Sequence, residues 1–265
     1  MSNIYPILTF FTAVIALAVC TSCEPEAADW TYSTDNTLSD LGFDDLYNIS
    51  NGEASASNSL RSCGSVSLDT TPNSFFPATM TVDYGTNSVC SDGRTRSGKV
   101  TINFSDRWSS AGMICSIRPE NYIVNGYQVE GEATISNEGL VNGSPTYRSE
   151  ISNGIFTTPD GEVILRDCVK YWTWASGAST PFNATDDVWQ VTCSATGTTR
   201  KGNAFTAITT SPIIKSNSCN WIQEGTIEIT PQNGGLTRQV DYGNGDCDNV
   251  AKVSYGNWNM DIMMN

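Results

Sequence analysis

The sequence predicts an all-β protein: an antiparallel meander of about 12–14 strands closing as a sandwich or barrel, preceded by a short N-terminal helix and a flexible tether. Three observations predict it. From about Leu60 onward nearly every apolar segment alternates with period two, Gly, Asn, Asp and Pro turn signals punctuate those segments densely, and no long helical pattern appears among them. The chain divides into a leader (1–22), an acidic tether with a short helix (23–59) and one all-β domain (60–265).

The leader comes first. Ile7 to Val19, "ILTFFTAVIALAV", is apolar but too short to span a bilayer comfortably, and it matches the apolar core of a secretory signal. "CTSCEPE" follows directly, and the small residues before Cys23 make it the expected lipidated first residue of a lipoprotein. Cys20, after "LAV", is the rival site. An acylated Cys carries more than one chain, which stable anchoring requires. The tether, Glu24 to Ser59, is rich in Asp, Asn, Ser and Thr. Within it "TLSDLGFDDLYNIS" spaces Leu38, Leu41, Leu46 and Ile49 helically. "CEPEAAD" reads equally as a solvated linker or as a surface-export signal.

Individual strands are plain. "TMTVDY" sets Met80, Val82 and Tyr84 on one face, "KVTINF" sets Val100, Ile102 and Phe104, and "TIEIT" sets Ile227 and Ile229. Asn125-Gly126 in "YIVNGYQV" predicts a two-residue hairpin, and Pro159-Asp160-Gly161 predicts a second turn. A meander of this size can bury its own core, and closing it would protect its edges.

Beyond Cys23 seven Cys remain: Cys63, Cys90, Cys115, Cys168, Cys193, Cys219 and Cys247. In an exported protein they read first as disulfides. Cys63 with Cys90 and Cys219 with Cys247 are almost equally spaced, and the second Cys of each pair falls in a repeated motif, so these two bridges are expected. A register placing Trp172 opposite Trp189 would set Cys168 opposite Cys193 as a third bridge, and Cys115 is then a buried free thiol.

Composition limits the function. The 14 Lys plus Arg against 28 Asp plus Glu give a formal charge of −14, which disfavours nucleic acid as a partner. His is absent. That removes Ser-His-Asp and Cys-His catalysis and His-ligated zinc, and no cofactor is expected.

The repeated motif is "VDYGTNSVCSDG" (Val82 to Gly93) and "VDYGNGDCDN" (Val240 to Asn249). A calcium reading of the second copy would use Asp241, Asn244, Asp246 and Asp248, but the copies do not keep their acid spacing. A structural turn stapled by Cys is favoured. Trp172, Trp174 and Trp189 form a candidate glycan platform, against the commoner use of large aromatics as core filling. Asp44 with Asp45, and Asp186 with Asp187, are adjacent in sequence rather than placed to flank a glycosidic bond. Asp69 to Thr71, "DTT", matches a short O-glycosylation acceptor.

The blocks "DYGTNSVCSDGRTRSGKVTINFSDRW", "NYIVNGYQVEGEATISNEG" and "CNWIQEGTIEITPQNGGLTRQVDYGNGDCDNVAKVSY" resemble, in order and spacing, a group of uncharacterised Bacteroidota outer-membrane lipoproteins. The resemblance covers Cys63 to the C-terminus, and "NWNMDIMM" departs from the closing strand it leads one to expect. It implies an exported, lipid-anchored all-β protein and carries over no catalytic residue. The expectation is therefore a non-enzymatic outer-membrane or cell-surface protein with a structural or interaction role, held to the membrane by lipid. The alternatives are a glycan-binding surface module and an accessory subunit of an outer-membrane protein complex.

Overall fold

The structure, a computed structural model, describes residues 29–54, 63–180 and 183–264. The expected leader, Cys20, Cys23 and the tether residues 24–28 and 55–59 lie outside them. One helix, α1 (Thr31–Ala54), is followed by thirteen strands: β1 (Ser65–Thr71), β2 (Ser74–Val89), β3 (Thr95–Phe104), β4 (Ile114–Val124), β5 (Tyr127–Val141), β6 (Ser144–Thr157) and β7 (Val163–Ser176). After a single 3-10 turn (Ala184–Asp186) come β8 (Val188–Thr198), β9 (Ala204–Ser216), β10 (Glu224–Pro231), β11 (Arg238–Asn244), β12 (Val250–Tyr255) and β13 (Trp258–Met263).

Every strand pairs antiparallel with its sequence neighbour in a single 13-stranded sheet ordered β1 to β13. The predicted meander is therefore present, with one difference. The sheet does not close, and β1 and β13 are its two edges. Instead it curls around α1, which contacts β4, β5, β6, β7 and β10. One hydrophobic core joins Phe43, Leu46, Tyr47 and Ile49 of the helix to the inward residues of β2 through β13.

The curl is built from bulges. Register shifts interrupt β3 between Ser97 and Lys99, β4 between Ile117 and Ile123, β5 between Glu130 and Glu132, and β6 between Ile151 and Gly154. A bulge bends its strand and increases its twist, which a sheet wrapping a helix requires. Gly98 is indispensable to the first of them: its φ is +82°, and a Cβ there would stand 2.1 Å from the Asn121 carbonyl oxygen. The Asn125-Gly126 hairpin forms as expected, with φ of 50° and 85°. The Pro159-Asp160-Gly161 turn also forms, Gly161 N donating to Thr158 O at 2.9 Å.

The short helix expected within 23–59 is present as α1, and it is packed inside the sheet rather than lying in solvent. Acidity suggests solvent, yet the helix runs 24 residues and most of its side chains are buried, Asp35, Asp40, Asp44 and Asp45 among them. Asp29 Oδ1 starts the helix by accepting from Thr31 N at 3.0 Å. Ser39 and Ser50 return their hydroxyls to the Asp35 and Tyr47 carbonyls at 2.7 and 2.8 Å, so neither needs water. Two glycines let helix and sheet interlock. A Cβ on Gly42 would meet the Phe156 ring of β6 at 2.3 Å, and a Cβ on Gly154 of β6 would meet the Phe43 ring at 2.6 Å. Each glycine is the slot for the other element's aromatic ring.

Cys63–Cys90 and Cys219–Cys247 are disulfides, as spacing predicts, with sequence separations of 27 and 28. The repeated motif is one local structure used twice. Asp83 Oδ1 accepts from Gly85 N and Asp241 Oδ1 from Gly243 N, both at 2.9 Å, with φ of +60° and +99° at the two glycines. Val82, Tyr84, Val240 and Tyr242 are all buried. The motif ends a strand, and its Cys ties that strand upstream.

Candidate functional site

The chemically richest part of the molecule is the contact between the acidic helix and the cations that line the sheet. Arg96 of β3 lies in phase with inward Val100 and Ile102. Arg166 and Lys170 of β7 lie in phase with inward Ile164, Cys168 and Trp172. Alternation therefore drives these cations inward.

Asp45 is the most enclosed acid. It accepts from Arg96 Nε at 2.9 Å, from Arg96 Nη2 at 2.6 Å, from Tyr122 OH at 2.5 Å and from Arg94. Burial alone would raise its pKa, but the hydrogen bonds and charge of Arg96, with Arg94, hold it below the usual carboxylate value. Asp92 closes the other side of Arg96 at 2.6 Å.

One turn earlier Asp40 binds Arg166 at 2.6 Å and Lys170 at 2.9 Å. Burial again pushes the carboxyl up, and Lys170 and Arg166 together bring it below its ordinary value. Asp44 pairs with Lys170 and, at 3.3 Å, with Lys215 of β9. Asn36 accepts from Arg166 Nη1 at 2.7 Å.

At the helix start Arg200 grips Asp35 through its backbone N at 2.8 Å and Nε at 2.7 Å, and Lys201 reaches Asp29 at 3.1 Å. The Arg238 guanidinium lies between the Tyr32 and Tyr255 rings, 4.3 and 4.4 Å from their centroids, and donates to Asp29 O. Eight of the 14 basic residues, Arg94, Arg96, Arg166, Lys170, Arg200, Lys201, Lys215 and Arg238, thus face the segment 29–45. Sequence reading missed all of them. For those on strands, Arg96, Arg166, Lys170, Lys215 and Arg238, the signal that could have found them is a cation in phase with the inward apolar residues; Arg94, Arg200 and Lys201 lie outside the strands.

Between α1 and β4–β7 a cavity of about 10 Å³ is lined by Asp40, Phe43, Tyr47, Ile135, Ser149 and Cys168, among others. That is room for about one water molecule. Cys168 and Cys193 lie beside it with their sulfurs 3.3 Å apart and unbonded, and Arg166 Nη2 stands 3.9 and 3.8 Å from them. Cys115, the third free thiol, is buried, and burial pushes its pKa up. The pairing of β7 with β8 differs from the expected one by two residues. Trp174, not Trp172, faces Trp189; Cys168 faces Ala195 and Cys193 faces Lys170. A slip of two keeps every side chain on its own face, so alternation could not distinguish the registers.

The three tryptophans do not form an exposed platform. Trp172 is 2% exposed, stacks on Tyr47 of the helix at 4.2 Å and donates to Ser149 Oγ at 2.9 Å. Trp189 is 6% exposed and stacks on half-buried Trp174 at 5.2 Å. Trp172 bridges sheet and helix, and Trp174 and Trp189 pack on each other, the commoner use of large aromatics. Trp174 donates to Asp187 Oδ1 at 3.0 Å, and burial raises the Asp187 carboxyl above its ordinary value.

In the second motif copy Asp241 and Asp248 each turn a carboxylate oxygen onto nearby backbone N–H groups, those of Gly243 and Val250. Among the described residues the clustered metal-type ligands are Asp40, Cys168 and Cys193, and the Asp241, Asn244, Asp246 and Asp248 set does not converge with them. Asp44 and Asp45 are ion-paired to the sheet. Asp69 to Thr71 lie on exposed β1. No protein-family model matches the chain, and neither curated proteins nor solved structures gave a match.

Proposed function

We propose that the chain is a lipid-anchored outer-membrane or cell-surface protein with a non-catalytic role, presenting the outer face and open edge of its sheet to a protein partner. The observation that carries this reading is the filled interior. Where a curled sheet would otherwise offer a concave ligand site, α1 occupies the space and leaves a cavity of about 10 Å³. Recognition then falls to the outside.

There the charge is one-sided, because eight of the 14 cations are engaged with segment 29–45 while the chain carries 28 acids. Such a surface favours neutral or basic partners and is repelled by anionic headgroups. Strand β1 is exposed throughout, and Val66 and Leu68, opposite buried Val82 and Met80, carry the inner apolar face past its cover. An uncovered apolar edge strand invites pairing.

Cys23 is the proposed anchor, and a radiolabelled palmitate precursor tests it. Label should be lost on Cys23→Ala and kept on Cys20→Ala; label retained in Cys23→Ala would overturn the assignment. For the partner, cross-linked pull-downs from detergent-solubilised membranes should enrich a protein that Leu68→Glu releases. Retention of every captured protein by Leu68→Glu would count against the edge, and capture of polysaccharide instead would favour the glycan alternative.

A further inference from the structure

Cys168 and Cys193 sit together for a reason that ion pairing of the helix does not explain. They are diagonal neighbours on β7 and β8, both buried, and their sulfurs are 3.3 Å apart, against roughly 2.05 Å in a bond. Asp40 is the third ligand-type side chain nearby, but its carboxylate already binds Arg166 and Lys170. Two cations beside the sulfurs oppose a metal cation and favour a thiolate. We propose that Cys168 and Cys193 are a third disulfide of this domain, closed by thiol–disulfide exchange across the β7–β8 hairpin before α1 docks over it.

The order follows from access. With the helix in place both cysteines are buried, and the cavity that Cys168 lines is sized for one water, too small for a disulfide reagent. Strands β7 and β8 are sequence neighbours and pair with each other directly, with no helix residue between them. Cys168 is the attacking residue: Arg166 and Lys170 precede and follow it on the same face of β7. In the folded chain the hydrogen bond from Cys193, together with those cations, lowers its thiol against the opposing effect of burial, while Cys193 is pushed up.

Cys168 gives up its proton and its thiolate attacks a small disulfide R–S–S–R. The mixed disulfide forms and one R–S⁻ leaves, taking up that proton. Cys193 is deprotonated in turn and attacks Cys168 Sγ, forming the Cys168–Cys193 bond and expelling the second R–S⁻, which takes up the second proton. Two thiols are oxidised and one external disulfide is reduced to two thiols. The inference does not depend on the lipid anchor.

The test is oxidative refolding of the reduced full chain with oxidised glutathione, followed by denaturation in N-ethylmaleimide, trypsin digestion and mass spectrometry. The expected product is peptide 167–170 linked to peptide 171–200, with Cys115 alkylated. Closure of Cys63–Cys90 and Cys219–Cys247 in the same sample shows that the oxidant sufficed. Cys168 and Cys193 both alkylated while those two bridges are closed would overturn the proposal.

The order is tested on folded chain whose Cys168 and Cys193 are still thiols. Closure should be at least tenfold faster in Asp45→Ala, which loosens the helix without touching either sulfur, than in the parent chain. Equal rates would refute closure ahead of docking.

Discussion

Replacing Asp45 with Ala is the sharpest test of the idea that the acidic helix is locked into a cationic interior. The substitution leaves the Arg96 guanidinium fully buried with one acid, Asp92, itself partly exposed, and leaves Tyr122 OH without its acceptor. Removing one partner of a buried pair costs about 3–5 kcal/mol, because the remaining charge is left uncompensated. Arg94 adds little to this figure, since it is about a quarter exposed and solvent takes over its charge. Urea unfolding followed by tryptophan fluorescence reads the loss. With a slope of about 3 kcal/mol/M the midpoint should fall by about 1–1.7 M. The triple variant Asp45→Leu, Arg96→Met, Tyr122→Phe removes the whole buried polar group and should recover most of that loss. A loss below about 1 kcal/mol in Asp45→Ala, at unchanged slope, would refute the reasoning.

Gly42→Ala should destabilise the protein although Ala gains about 1 kcal/mol of helix propensity, because its Cβ meets Phe156. The same denaturation assay should show Phe156→Leu restoring part of the loss, and a stabilised Gly42→Ala would disprove the interlock. Asp40 and Asp45 both have folded-state values lowered below 3.8 by their cations. Their stabilisation is therefore complete above about pH 4 and lost as pH falls through the lower folded values. Asp40→Asn combined with Asp45→Asn should flatten the decline of midpoint with pH below about 4, and an unchanged acid limb would contradict this. EDTA should leave the thermal midpoint where it was, since Asp241 and Asp248 cap backbone N–H groups; a fall of several degrees, reversed by calcium, would restore the ion reading.

What was legible in the sequence was whatever a strand writes locally. Alternation in "KVTINF", the Asn125-Gly126 turn and the twin motifs with their Cys each report on a few neighbouring residues, and the structure keeps all of them. The helix was half legible. Leu38, Leu46 and Ile49 showed its periodicity, but its acids argued for solvent, because their partners lie far along the chain. Asp45 meets Arg96 51 residues on, and Asp40 meets Arg166 126 residues on. Composition counts charges without seeing which ones face each other. The β7–β8 register failed for another reason: the connection is long, and a two-residue slip leaves each face intact.

The ionic contact is better understood as a key than as a source of stability. A buried ion pair gains little over a well-packed apolar substitute, so the reason to retain several of them lies in what they forbid. Helix residues Asp40 and Asp44 lie one turn apart and share Lys170, while Arg166 reaches back to Asn36 and Arg200 to Asp35. Sliding α1 by one turn would bring Asn36 towards the place of Asp40 and carry Gly42 away from Phe156, leaving cations unpaired and a ring without its slot. Apart from that slot, the apolar contacts would tolerate such a slide, since Leu, Tyr and Phe recur along the helix. The charges do not, and they set the helix in one register inside a sheet whose open edges would otherwise leave its position weakly determined.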